Sequence, residues 1–236
     1  MGVFAIGDLH GCPEELEVLL AELQPGTADT LVFLGDYIDR GPAVRTLIER
    51  LLRLRAQQAQ TVFLRGNHED MLLAYLGYPG RHPSAYLANG GTATLASYGV
   101  PHGASGAAAA AAFPAEHVRF LLDTRITHAH EGFLFVHAGV RPGVPLAEQD
   151  EEDLLWIREE FFTRPHDLPY TVVFGHTPQR EVRIGLPYSL GLDTGLVYGN
   201  KLSCLDITTR RLLQVARGGR RAVERDLTYF YAAANL

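Results

Sequence analysis

Nine residues in five short stretches carry side chains able to do metal or acid–base chemistry. They are Asp8 and His10; Asp36, Asp39 and Arg40; Asn67 and His68; His137; and His176, and each stretch also holds a glycine. Carboxylate, amide oxygen and imidazole together suit divalent ions such as Mn, Fe, Zn or Co. No thiolate joins them, which fits a catalytic rather than a structural site. Asp8 and His10 lie two positions apart, so in an extended segment both project the same way. Taken singly, an Asp or Asn beside Gly after a strand is an ordinary turn or helix cap. A lone histidine there is an ordinary hydrogen-bonded loop residue. Five such loops in one chain are what mark a site.

The elements around them repeat one pattern. Residues 3–6 read as a buried strand and 13–23 as a helix, with Pro13 near its start and Leu16, Leu19, Leu20 and Leu23 on one face. The pattern recurs as strand 30–34 and helix 44–55, then as strand 61–64 and a helix running to residue 76. This βαβαβα alternation predicts a parallel sheet with its active loops at the strands' carboxyl ends. Residues 77–113 break the pattern with turn signals and an alanine run, and are expected to form a partly helical cap. The second half is strand-rich: 126–130, 132–136, 171–174, 188–192, 196–198, 202–207 and 212–215, with a helix expected over 153–161. No composition break separates a second domain, so 1–236 is expected to be one catalytic domain.

Composition limits the function classes. The chain has 236 residues, 47% hydrophobic and 20% charged, which is globular rather than disordered. A net charge of −6 argues against a DNA-binding surface. No apolar run is long enough to span a membrane, and the start lacks signal-peptide features, so a cytoplasmic protein is expected. Cys12 and Cys204 form no C-x-x-C pair, which excludes a structural zinc site or a disulfide framework. The one lysine, Lys201, stands outside any Walker-type loop.

The ordered motifs GDLHG (7–11), GDYIDRG (35–41), GNHE (66–69), HAG (137–139) and GHT (175–177) resemble those of the metallophosphoesterase superfamily. Within it, the chain is similar to the phosphoprotein phosphatase family and its bacterial and phage branch, which also matches LANGG (87–91), LWIRE (155–159) and LDTG (192–195). The resemblance implies an α/β fold, a four-layer αββα sandwich of two mixed sheets. It makes Asp8, His10 and Asp36 ligands of one divalent ion, with Asp36 bridging to a second held by Asn67, His137 and His176. Mn is the expected ion, with Fe, Zn, Co or Ni as alternatives. Such a pair of ions generates a bridging hydroxide that attacks phosphorus in line. Arg40 and Arg158 match the family's phosphate clamps, Asn67 also serving substrate binding; Arg164 and Arg141 compete with Arg158 for its role. His68 matches the general acid for the leaving oxygen, oriented by Asp39.

Other residues are set aside. His128 and His130 share a strand face, and His82, His102, His117 and His166 lie in loops or helix starts; all are expected to be structural or exposed. Cys204 and Arg210 have the spacing of a thiol phosphatase, but the stretch between them alternates like a strand and has no phosphate-wrapping glycine. Cys12 is expected to be a buried thiol, and 217–221 a solvated loop. Three functions follow from the resemblance. The first is a phosphatase of phosphoserine and phosphothreonine proteins. The second is a hydrolase cutting diadenosine tetraphosphate symmetrically into two ADP, and the third a metal-free binding module. Asp39 and Glu69 favour the first, because symmetrical tetraphosphatases often carry Ala and Asp at those places and a serine alkoxide needs an acid more than ADP does. Tyr78, Tyr86, Tyr98 and Phe113 in the cap could stack on adenine, although core packing is the expected role.

Overall fold

The computed structural model describes residues 1–58 and 60–234. Eleven strands are named β1 (Val3–Ile6), β2 (Thr30–Phe33), β3 (Thr61–Phe63), β4 (Thr127–His130), β5 (Phe133–Val136), β6 (Thr171–Phe174), β7 (Arg183–Gly185), β8 (Ser189–Gly191), β9 (Lys201–Asp206), β10 (Arg211–Ala216) and β11 (Val223–Asp226). The α-helices are α1 (Pro13–Leu23), α2 (Val44–Gln57), α3 (Asn67–Tyr75), α4 (Gly91–Ser97), α5 (Gly106–Ala110), α6 (Ala115–Leu122), α7 (Glu151–Trp156), α8 (Glu159–Thr163) and α9 (Thr228–Ala233). One sheet runs β11-β10-β9-β1-β2-β3 and the other β4-β5-β6-β8-β7. β1, β2 and β3 are parallel neighbours, as are β5, β6 and β8, while β9 and β4 join antiparallel. Both sheets are therefore mixed.

Strand alternation sets the layers. In β1, Phe4 and Ile6 pack with Leu16, Leu19, Leu47 and Ile48 of the helices, whereas Val3 and Ala5 face Phe135, Val173 and Leu190 of the other sheet. In β5, Phe135 points into that inter-sheet core while Leu134 and Val136 meet Leu154 and Phe161 of α7 and α8. The order is helices, sheet, sheet, helices: the expected αββα sandwich. No helix among the described residues is long and apolar enough to cross a membrane.

Residues 77–113 form two 3-10 turns, α4 and α5, and bury Tyr86, Leu95, Tyr98 and Phe113 in the helix-side core. Two local expectations are corrected. Residues 196–198 form a 3-10 turn rather than a strand, because Gly195 and Gly199 on either side adopt left-handed backbone, φ 69° and 90°. The helix expected over 153–161 is broken at Ile157 and Arg158, where Ile157 turns into the core and Arg158 takes φ −134° and ψ −96°.

Candidate active site

Apart from Arg158, which stands at the break between α7 and α8, every residue expected at the site follows the carboxyl end of a parallel strand or sits in the loop beside one. Asp8 and His10 follow β1, Asp36 to Arg40 follow β2, Asn67 and His68 open α3 after β3, His137 follows β5 and His176 follows β6. The loops are zipped together by backbone hydrogen bonds: Leu9 and His10 N–H donate to Asp36 O at 3.1 and 2.8 Å, and Gly175 N–H donates to His137 O at 2.8 Å. His137 Nδ1 donates across the sandwich to Leu34 O at 2.8 Å, tying the two sheet edges at the site. Five of the nine non-glycine residues with left-handed backbone among the described residues are His10, Asp36, Asp39, Arg40 and His176, with φ between 42° and 68°. Such strain persists only where surrounding contacts over-determine it. Two glycines make room for the carboxylates: a Cβ on Gly66 would meet Asp36 Oδ1 at 2.1 Å, and one on Gly175 would meet Asp8 Oδ1 at 2.1 Å.

Asp36 stands at the centre. Its carboxylate groups within 4.8 Å with His10 and His68 on one side, and with His137 and His176 on the other. Asn67 Oδ1 lies 3.0 Å from His137 Nε2 and 2.9 Å from His176 Nδ1. Asp8 stands beside both groups without entering either, its Oδ2 accepting the His176 backbone N–H at 3.0 Å.

The donor set fits divalent cations on its own chemistry. His10 Nδ1 donates to Ile38 O at 2.7 Å, and His137 Nδ1 to Leu34 O. These bonds fix the tautomers and leave both Nε2 lone pairs facing inward, the arrangement typical of metal-ligating histidines. His137 Nε2 therefore faces Asp36 Oδ1 at 3.3 Å and Asn67 Oδ1 at 3.0 Å, acceptor against acceptor. Burial keeps these imidazoles neutral: it pulls His10 down to about 3 and lowers His137 and His176 as well. Burial also pushes Asp8 well above its usual range, helped by the charges of Asp193 and Asp36, and lifts Asp193 to about 6. Buried carboxylates crowded against acceptor nitrogens call for cations.

Arg40 Nη1 reaches His10 Nε2, and Arg158 Nε reaches His176 Nε2 at 3.1 Å, so both expected phosphate clamps lie at the cluster. Of the competitors, Arg141 is committed elsewhere, to Asp153 at 2.6 Å and Glu160 at 2.7 Å. His68 Nδ1 donates to Asp39 Oδ2 at 2.6 Å, and its Nε2 is buried with no protein partner, 3.9 Å from Asp36 Oδ2. Burial opposes protonation of His68, but the Asp36 and Asp39 carboxylates outweigh it and raise its pKa.

Three groups found here have structural roles that sequence reasoning does not supply. Glu69 accepts the backbone N–H groups of Asp36, Tyr37 and Gly66 at 2.8 to 2.9 Å. Asp193 is buried beside Asp8 and accepts Gly195 N–H at 2.9 Å. Both lay inside quoted motifs, so their motif membership was the available signal. Thr94 had none: it reads as an ordinary helix residue, yet it contacts Asp39 from 55 positions away. The cap aromatics divide. Tyr86, Tyr98 and Phe113 are buried in the core, whereas Tyr78 is exposed. An aromatic from outside the cap, Tyr198, is 62% exposed, and its ring lies 5.5 Å from the Arg40 guanidinium.

The calcineurin-like phosphoesterase family profile matches residues 1–204. Serine/threonine-protein phosphatase 1 of Salmonella typhimurium is 30% identical over 207 residues, covering 85% of this chain and 89% of that one. The asymmetrical bis(5'-nucleosyl)-tetraphosphatase PrpE of Bacillus mycoides is 26% identical over 234 residues, covering 85% and 88%. A solved structure of a candidate diadenosine tetraphosphatase aligns with a TM-score of 0.70 at 25% identity, covering 91% of this chain and 93% of that one. The cold-active protein-tyrosine phosphatase of a Shewanella species shares the fold, with a TM-score of 0.62 at 19% identity.

Proposed function

Because the chain belongs to the calcineurin-like phosphoesterase family, we propose that its site hydrolyses phosphate monoesters of serine and threonine on proteins. The observation that carries this reading is the buried pair of His68 and Asp39, 2.6 Å apart, with His68 Nε2 unpartnered and turned toward the Asp36 cluster. A serine alkoxide is a poor leaving group, and a positioned proton donor is what its departure needs.

In this reading Asp8, His10 and Asp36 would hold one divalent ion, Mn first among the candidates, and Asp36, Asn67, His137 and His176 would hold a second. When bound they would lower the pKa of a water and draw charge from the phosphoryl oxygens. The chain's own residues do the rest. Arg40 and Arg158 grip the phosphoryl oxygens, for which a planar guanidinium fork is well shaped. Asn67 adds a contact to the phosphoryl group. Asp39 holds the His68 ring through Nδ1, and His68 gives its Nε2 proton to the leaving oxygen as the P–O bond breaks.

A second reading is hydrolysis of a dinucleoside tetraphosphate. It is favoured by the names of the PrpE relatives and by Tyr198, an exposed ring beside Arg40 on which a base could stack. Product identity separates its forms, since symmetrical cleavage gives two ADP and asymmetrical cleavage gives unlike nucleotides.

The test is His68→Asn. It is expected to slow phosphoserine cleavage about a hundredfold while leaving tetraphosphate cleavage far less affected. Equal losses on both substrates would remove the leaving-group argument.

A further inference from the structure

Resting on the reading of His68 as the proton donor, we propose that Tyr86 and Thr94 of the 77–113 segment are positioning residues for catalysis. They lock the Asp39 carboxylate in the one orientation that aims His68. The two oxygens of Asp39 have separate work. Oδ2 takes the His68 Nδ1–H at 2.6 Å, while Oδ1 accepts Thr94 Oγ1–H at 2.5 Å and Tyr86 O–H at 3.0 Å. Thr94 closes a two-way clamp, because its Oγ1 also accepts the Asp39 backbone N–H at 2.8 Å. That N–H belongs to a residue with φ 68°, so the clamp also secures the left-handed backbone that turns the Asp39 side chain inward.

The clamp is itself rigid. Thr94 lies on α4, its side chain buried, with Leu95 beside it packed into the core. The Tyr86 ring is fully buried, lies against Tyr75 with centroids 5.1 Å apart, and is closed in by Gly91, where a Cβ would stand 2.5 Å from the ring. Asp39 has no exposure to water that could replace these donors. Without them Oδ1 would be a buried, unpaired acceptor, and the carboxylate would turn to find another partner. His68 would then keep its proton and lose its aim. The segment between α3 and α6 thus does catalytic work at a distance: it sets the direction of a proton transfer without touching the phosphoryl group.

The experiment uses the full-length, metal-loaded protein and two substrates, phenyl phosphate with its poor leaving group and p-nitrophenyl phosphate with its good one. Thr94→Val and Tyr86→Phe keep shape and remove the hydroxyl; Thr94→Ser restores it; His68→Asn reports the donor directly. Each hydroxyl deletion should cut kcat for phenyl phosphate about tenfold and for p-nitrophenyl phosphate less than about threefold, with KM and bound metal unchanged. Thr94→Ser should lie close to wild type. In the same proteins loaded with diamagnetic zinc, the downfield proton resonance of His68 Nδ1–H should move upfield in both deletions, a change that loosened packing elsewhere would not give. If Thr94→Val fails to fold, Tyr86→Phe carries the same readout. If His68→Asn shows the leaving-group dependence and the two deletions do not, the positioning proposal is overturned and the role of His68 stands. If His68→Asn slows both substrates equally, the donor reading falls and the positioning proposal falls with it.

Discussion

Glu69 holds Asp36 by its backbone rather than by its side chain: Glu69 Oε2 accepts the Asp36 N–H at 2.9 Å and the Gly66 N–H at 2.8 Å. Oε1 takes the next two amides of the same loop, Tyr37 at 2.8 Å and Ile38 at 3.3 Å. One buried carboxylate thus binds the loop after β2 to the start of α3, which is how Asp36 and the Asn67–His68 pair keep a fixed distance.

Glu69→Gln replaces one of those acceptor oxygens with an amide NH2 that faces N–H groups. A buried polar mismatch of this kind costs about 1–3 kcal/mol. The expected result is a lower urea midpoint together with weaker metal uptake. A variant with wild-type stability and full metal content would show that the loop needs no such anchor.

Asp36 belongs to both clusters that could hold a metal ion, so Asp36→Asn should lose both proposed ions, read as metal content after Mn loading and desalting. Retention of two ions with near-normal turnover would contradict the assignment of Asp36 as the shared ligand.

Arg158 and Arg141 sit near the same loops but differ in their contacts, His176 for one and Asp153 with Glu160 for the other. Arg158→Ala should lower kcat/KM on the order of a hundredfold if, as proposed, its guanidinium grips the phosphoryl oxygens. Arg141→Ala should change it less than about threefold. The reverse order would hand the clamp to Arg141.

His117 gives a pH dependence away from the site. It is buried, and its Nδ1 lies 2.7 Å from the Tyr98 hydroxyl. Burial lowers its pKa, with Arg45 adding to the effect and Glu116 and Glu49 opposing it. Below about pH 6.5 the unfolded chain therefore binds more protons than the folded one. The stability due to neutral His117 is full above that pH and is lost as pH falls toward the folded value. The urea midpoint should drop between pH 7 and 5 more steeply in wild type than in His117→Gln. Equal slopes would mean that His117 titrates alike in both states.

Much of the site was legible because parallel strands deliver their loops to one edge. Once β1, β2, β3, β5 and β6 are read from their short apolar runs, the polar residues just beyond them must converge. The apolar runs do not say where a helix yields to a packing demand. The break at Ile157, which frees Arg158 to reach His176, depends on a core that forms only when α7 and α8 meet β5 and β6. Residues 196–198 carry an apolar pattern that suits a strand, but the two flanking glycines turn the chain. Thr94 and Tyr86 were hidden for a different reason. Their partner Asp39 is 55 and 47 positions away, and neither helical spacing nor aromatic content reports a hydroxyl that reaches so far.

On the proposed reading, phosphoserine and phosphothreonine esters are cleaved in preference to phosphoanhydrides. Metal-stripped, Mn-reloaded protein given a phosphorylated peptide in one tube and diadenosine tetraphosphate in another, with products separated by chromatography, compares kcat/KM directly. A peptide preference of at least about tenfold is expected, equivalent to about 1.4 kcal/mol in the transition state. A preference for the nucleotide, with nucleoside phosphates as the products and little phosphate released from the peptide, would contradict it.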